Sequence, residues 1–220
     1  MKCLIVIPAY NTQSSLLNVL LELRTYCDND ILVVDDGSTP DLHIGNNSSS
    51  SIFLIKNTNN KGKGYSLKKA IKYALNNSYT HIVTIDSDLQ HNPSYINKFI
   101  NADDYIDIVF GQRSFKSPMP IHRILSNKIT SKLLSLLIKN KVQDSQCGYR
   151  RYRLEIFNNK ELFEDGYQFE SEVLLKCLNG NSSIYHINIE TLYPDNNKSY
   201  MNNRKDTYKF IKLILRHIFA

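Results

Sequence analysis

The chain is short of cysteine and has no long apolar run, and both shortages narrow what it can be. Its four cysteines, Cys3, Cys27, Cys147 and Cys177, are scattered without a C-x-x-C pair. Neither a zinc site nor a disulfide framework is expected, and a reducing compartment fits. No stretch approaches the roughly 20 apolar residues of a membrane-spanning helix. The N-terminal apolar run, Cys3 to Ile7, is too short for a secretory signal and stops at Pro8. The expected location is cytoplasmic, with peripheral contact at the inner face of a membrane as the variant to test. The phosphate-binding pattern G-x-x-x-x-G-K-[ST] is missing, and no Ser/His/Asp order, Cys/His motif or internal repeat stands out. Acidic residues are outnumbered, 21 against 27 basic, for a formal net charge of +6. That excess suits anionic partners such as nucleoside diphosphates, lipid phosphates or an anionic membrane surface. The 14 tyrosines form no RNA-binding strand pattern, so nucleic acid is not an expected partner.

Apolar and polar stretches alternate through the first half. Cys3 to Ile7 reads as a strand, and Leu16, Leu17, Leu20, Leu21 and Leu23 follow at helical spacing behind Thr12 and Ser14. Ile31 to Val34, Ile52 to Ile55, His81 to Ile85 and Ile106 to Phe110 read as further strands. Leu67, Ala70, Ile71, Ala74 and Leu75 mark a second helix. With 220 residues, 42% of them hydrophobic, a single α/β domain with a substantial core is expected. The alternation predicts a Rossmann-like, mostly parallel central sheet flanked by helices. Ligands in such sheets bind beyond the carboxyl ends of the strands. The second half is less regular, with a long helix around Ile124 to Leu137, a strand near Cys147 to Tyr152, a helix from Glu170 to Leu178 and a strand from Ile184 to Ile189. The domain is expected to span 1–204, followed by an amphipathic basic helix over 205–220. In that helix Tyr208, Ile211, Leu215 and Ile218 share one face, and Lys205, Lys209, Lys212 and Arg216 another. The apolar stripe either packs on the domain or lies on an anionic membrane.

Segments with unusual chemistry follow the strands. Asp86-Ser87-Asp88 leaves the fourth strand just ahead of a helix start at Asn92-Pro93-Ser94. Two carboxylates at i and i+2 can turn toward one hard cation that keeps positions open for substrate phosphate oxygens; a solvated turn or helix cap is the competing reading. Asp35-Asp36-Gly37-Ser38-Thr39 ends the second strand, where a carboxylate either accepts from a ribose or base or caps a turn. Asn60-Lys61-Gly62-Lys63-Gly64 opens the second helix, as a phosphate cradle or an ordinary helix-initiating turn. Gly111-Gln112-Arg113 and Arg123 offer guanidinium forks to a diphosphate, or are solvated surface arginines. Asp144 through Arg150, Glu170 and Glu172 add carboxylates, of which Asp144 or Glu170 could serve as a general base toward a sugar hydroxyl. Glu170 and Glu172 could equally be helix-start charges.

Taken together, these segments resemble the family 2 glycosyltransferases of the GT-A fold, and most of all the dolichyl- or polyprenyl-phosphate sugar transferases. The resemblance rests on Ile7-Pro8-Ala9-Tyr10-Asn11, Val33 to Thr39, Asn60 to Gly64, Asp86 to Pro93, Gly111 to Arg113 and Asp144 to Arg150, in the family's order. It implies an inverting, metal-dependent transfer from a UDP- or GDP-linked sugar to a polyprenyl phosphate or a glycan hydroxyl, in cell-surface polysaccharide synthesis. Pro8, Ala9, Tyr10, Asn11 and Asp36 would hold the nucleoside, with Lys63 and Ser87 completing the nucleotide-sugar site. Asp86, Asp88 and Gln90 would hold Mg²⁺ or Mn²⁺ and the diphosphate. Asp88, Asp144, Glu170 and Arg113 would form the catalytic set. Arg123, Arg150, Lys198 and Arg204 would meet the acceptor phosphate. Three features depart from the family's pattern: Thr12 stands where an acidic residue is usual, Tyr200 replaces a common histidine, and C-terminal transmembrane helices are absent. A sugar-phosphate nucleotidyltransferase or a non-catalytic nucleotide-sugar binder would share the acidic pair. The former usually carries a basic, glycine-rich loop where Pro8-Ala9-Tyr10-Asn11 stands.

Overall fold

The structure is a computed structural model that describes residues 1–44, 51–114, 121–192 and 203–219, with the side chains of 121–123 and 203–204 outside the description. Strands β1 (Cys3–Ala9), β2 (Ile31–Asp35), β3 (Ile52–Lys56), β4 (His81–Thr84), β5 (Ile108–Arg113), β6 (Arg150–Arg153) and β7 (Ile184–Ile189) form one sheet in the order β3-β2-β1-β4-β6-β5-β7. Every neighbouring pair is parallel except those made by β6, which runs antiparallel between β4 and β5. The helices are α1 (Gln13–Tyr26), α2 (Lys63–Asn76), α3 (Ile96–Ile100), α4 (Ile121–Ile138), α5 (Phe169–Cys177) and α6 (Asn203–Ile218).

The apolar runs of β1 and β2 are buried on both faces because successive side chains enter opposite layers. Leu4, Val6, Leu32 and Val34 pack with α2, α4, α5 and α6 through Leu67, Ala70, Leu134, Val173 and Leu213. Ile5, Ile7, Ile31 and Val33 pack on the other side with Leu16, Val19 and Leu20 of α1 and Phe99 of α3. The expected two-sided, mostly parallel sheet is therefore present. Sequence periodicity carries no strand direction, which is why the reversal of β6 was not foreseen. The carboxyl ends of β1, β2, β4 and β5 lie along one edge, which is where the unusual segments emerge.

The C-terminal helix corrects one expectation. Its packed face is made of Asp206, Phe210, Leu213 and Ile214. The stripe of Tyr208, Ile211, Leu215 and Ile218 does not pack on the domain; it points outward, and Phe219 beyond it is 83% exposed. Leu213→Ala should lower the unfolding free energy by about 2–5 kcal/mol, the cost of a buried leucine truncation. Leu215→Ala should stay within about 0.5 kcal/mol of wild type. Urea denaturation of both variants checks which face is load-carrying, and equal losses would reverse this assignment.

Candidate active site

Five chain segments converge at the carboxyl edge of the sheet, and hydrogen bonds between them fasten the rim. The first loop meets the second where Ser38 Oγ accepts from the Asn11 backbone N–H at 2.8 Å and Asn11 Oδ1 accepts from Thr39 N–H at 2.9 Å. Thr12, the departure from the family's acidic residue, shares a 3.0 Å hydroxyl–hydroxyl bond with Ser87. Asp35 is fully buried and accepts from Ser38 N–H at 2.9 Å, so it shapes the turn. Asp36 accepts from Asn57 Nδ2 at 2.8 Å, Lys61 N–H at 3.0 Å and Gly62 N–H at 2.7 Å. Expected at the nucleoside, it fastens the glycine loop to the end of β2. Gly62 has φ of +104°, and a Cβ there would stand 2.4 Å from the Asp165 carbonyl oxygen, so only glycine fits.

The acidic triplet lies at the centre. Lys63, the first residue of α2, places Nζ 2.6 Å from Asp86 Oδ1 and 3.1 Å from Glu170 Oε1. His91 Nε2 stands 3.4 Å from the other Asp86 oxygen. Burial pushes the Asp86 carboxyl up, but the Lys63 ammonium and His91 overrule it and hold it well below the usual carboxylate range. Burial likewise opposes the Lys63 charge, and Asp86 and Glu170 outweigh that opposition, keeping the ammonium above its ordinary range. Asp88 is placed differently. Its Oδ1 accepts from Gln90 N–H at 3.0 Å, and burial together with the Asp86 charge pushes its carboxyl up. Among the described residues no lysine or arginine pairs with it. No group of three or more His, Cys, Asp or Glu side chains that could hold a metal occurs among the described residues. An all-protein cage is thus lacking, whereas one under-compensated carboxylate fits a hard divalent ion that takes its other ligands from phosphate and water.

The remaining candidates divide. Asp144 is fully buried, and Arg113 grips it through Nε at 2.7 Å and a terminal nitrogen at 2.9 Å, with Asn127 Nδ2 donating at 2.7 Å. Burial raises its carboxyl, but the Arg113 fork and Asn127 hold it below the usual range. A carboxylate so engaged is a poor proton acceptor, which removes the main argument for Asp144 as a base. Arg150 is a correction: it is fully buried, donates to the Ser145 carbonyl at 2.6 Å and the Cys147 carbonyl at 2.7 Å, and lies over the Phe110 ring. No acceptor phosphate can reach it; it supports the loop beneath the site. Glu172 accepts from Phe163 and Glu164 N–H groups, a structural role, whereas Glu170 reaches the site. Lys198 and the side chains of Arg123 and Arg204 lie outside the described residues. The chain leaving β7 does pass the site, since Leu192 N–H donates to the Gln90 carbonyl at 3.0 Å. Sequence reasoning assigned no role to His91 or Gly148. The last of these is visible only through contacts: a Cβ on Gly148 would stand 2.4 Å from Asp86 Oδ2.

Breaking the Arg113–Asp144 pair should be costly, because the partner left behind is a charge with little solvent. Asp144→Ala is expected to lose about 3–5 kcal/mol of stability in urea denaturation. A carboxyl held low in the fold stabilises fully at neutral pH, and its contribution is lost as pH falls below the unfolded value of about 3.9 through the folded one. The stability of wild type should therefore fall more steeply on acidification than that of Asp144→Asn; parallel acid limbs would contradict the pairing.

Comparison with known proteins gives the family and the fold. The profile of glycosyl transferase family 2 matches residues 4–159. An uncharacterised protein of Methanocaldococcus jannaschii is 33% identical over 97% of this chain and 98% of its own length. The UDP-N-acetylglucosamine–dolichyl-phosphate N-acetylglucosaminyltransferase of Methanococcus voltae is 27% identical over 87% of this chain and 86% of its own. The glucosyl-3-phosphoglycerate synthase of Mycobacterium tuberculosis, crystallised with Mn²⁺, UDP and phosphoglyceric acid, superimposes with a TM-score of 0.74 at 20% identity, over 98% of this chain and 78% of that one. The fold is thus GT-A, and with the profile match spanning β1 to the segment after β6, the chain belongs to the family 2 glycosyltransferases.

Proposed function

We propose that this glycosyltransferase moves a sugar from a nucleoside diphosphate sugar to a polyprenyl phosphate, with inversion at the anomeric carbon and with Mg²⁺ or Mn²⁺ at Asp88. The observation that carries the reading is the Asp88 carboxylate, half-buried in the loop beyond β4 and without a basic partner among the described residues. The loops of Pro8 to Asn11 and of Asp36 would receive the nucleoside, and Asp88 with Gln90 the diphosphate end. An ion held there would supply Lewis-acid neutralisation of the departing diphosphate. The chain's own part is positioning, which accounts for most of the rate when the transition state resembles an oxocarbenium ion. An acceptor phosphate oxygen attacks the anomeric carbon from the face opposite the diphosphate. The bond from that carbon to the diphosphate oxygen breaks, and its electron pair leaves with the nucleotide.

A phosphate acceptor is already anionic and surrenders no proton. That suits a site whose two candidate bases are both paired, Asp144 with Arg113 and Glu170 with Lys63. The dolichyl-phosphate acceptor of the archaeal relative supports the same acceptor class. So does α6, whose outward apolar stripe is flanked by Lys205, Lys209, Lys212 and Arg216, a pattern suited to an anionic membrane surface. This helix is moored beside the site, where Gln168 Nε2 donates to the Asp206 carbonyl at 3.1 Å. No helix among the described residues is long and apolar enough to cross a membrane.

The test is transfer of labelled sugar from a panel of UDP- and GDP-sugars to a polyprenyl phosphate, with Mg²⁺ or Mn²⁺. Asp88→Ala should cut turnover by at least about a hundredfold, the scale of losing one preorganised electrostatic contact, with its circular dichroism unchanged. Wild-type turnover in that variant would remove the metal role. A separate check uses sedimentation with phosphatidylglycerol vesicles. The double variant Ile211→Glu, Leu215→Glu should stay in the supernatant while keeping slow donor hydrolysis, and co-sedimentation equal to wild type would sink the membrane contact.

A further inference from the structure

The chain from Phe163 to Glu170, which leads into α5, touches both α6 and the start of α2. Toward α6, the buried Gln168 donates through Nε2 to the Asp206 carbonyl at 3.1 Å and to Asp206 Oδ1 at 3.3 Å, and Glu164 pairs with Arg216. Toward α2 the chain lies backbone against backbone. The Asp165 carbonyl accepts from Tyr65 N–H at 3.0 Å, which satisfies an amide that the first turn of a helix leaves without a partner. A Cβ on Gly62 would stand 2.4 Å from that carbonyl oxygen, and one on Gly64 2.6 Å from Phe169 Cβ and 2.7 Å from the Glu164 carbonyl oxygen. The two stretches touch this closely because both positions are glycine. At the far end, Glu170 holds Lys63 Nζ at 3.1 Å. A single strap thus joins the C-terminal helix to the glycine loop of the site.

The α6 end of the strap is lightly held. Asp206, Phe210, Leu213 and Ile214 turn inward, while Tyr208, Ile211, Leu215 and Ile218 face water. Gln168 Oε1 is buried with no hydrogen-bond partner among the described residues, so this amide is satisfied through its nitrogen alone. A helix of such length is marginal in water apart from its packing. Covering its outer stripe with lipid would stabilise it, and the inner and outer faces can be used at once.

We propose that the Phe163–Glu170 strap couples the seating of α6 on an anionic bilayer to the order of the site, with Gln168 as its positioning residue. The inference rests on the membrane contact of the proposed function and goes beyond it. The two states are a strap held at both ends and a strap held at α2 alone. An anionic bilayer favours the first, in which α6 is formed and docked, and so shifts the population toward it. Lipid that steadies α6 then steadies the strap against Gly62 and Gly64, and keeps Glu170 on Lys63. The donor meets an ordered site at the membrane and a looser one away from it. Turnover is thereby concentrated where a lipid acceptor is found.

Hydrogen exchange of the full chain, with and without phosphatidylglycerol vesicles, tests this. The amides of Tyr65, Phe163 and Glu164 are each hydrogen-bonded at the strap, to the Asp165 carbonyl or the Glu172 carboxylate. In wild type they should exchange at least about fivefold more slowly on vesicles, the low end of typical coupling between sites. Gln168→Leu should still sediment with vesicles, because the outer stripe of α6 is untouched, yet lose this slowing. A merely structural role for Gln168 would lower the melting temperature and leave the vesicle response in place. If Gln168→Leu fails to fold, Glu164→Ala decides, since it removes the other tie to α6 and should weaken the slowing. Full slowing in Gln168→Leu, or undiminished slowing in Glu164→Ala where it decides, overturns the proposal. So does wild type that sediments with vesicles while its strap amides exchange no more slowly, or faster. Wild type that stays in the supernatant fails at the membrane contact itself, and the coupling falls with it.

Discussion

Negative charge gathered at one edge of a buried sheet is the constraint on which the rest of the structure depends. Asp35, Asp36, Asp86, Asp88, Asp144 and Glu170 all lie where water is scarce, and a carboxylate there must find donors or counter-ions. Each solution fixes a segment of chain. Asp35 takes the backbone of its own turn, Asp36 takes the N–H groups of the glycine loop, Asp144 takes Arg113, and Asp86 and Glu170 share Lys63. The rim of the site is therefore built by charge compensation as much as by apolar packing.

Against that background Asp88 is the exception among the described residues: half-buried, it has one hydrogen-bond donor there, the Gln90 backbone N–H, and no basic partner. The same logic separates framework from chemistry among the arginines. Arg150 is spent on the carbonyls of the loop beneath the site, and much of Arg113 on Asp144, so both hold the loops around the site in shape.

Much of the fold was legible in the chain. The apolar runs of β1, β2 and β4 and the leucine spacing of α1 announced a doubly covered sheet, because burial on both faces leaves an unbroken β-branched run. The motifs beyond those strands were legible for a related reason: loops at the carboxyl ends of parallel strands must converge. What escaped was direction and orientation. Nothing in Arg150 to Arg153 says that β6 runs antiparallel, since pairing direction depends on distant strands. The stripe of Tyr208, Ile211 and Leu215 could have packed on the domain or faced outward; the helix docks through Leu213 and Ile214, and helical periodicity cannot say which of two apolar faces meets the core.

The sequence by itself determined the elements, the order of the loops and the residue types that gather at the edge of the sheet. Local periodicity and turn chemistry are enough for those. Only the tertiary structure decided how the charges are shared. That Asp86 pairs with Lys63, Asp144 with Arg113 and Arg150 with backbone carbonyls depends on distances between residues far apart in the chain. Electrostatic partnership is set by proximity in space, and no spacing along a polypeptide encodes it.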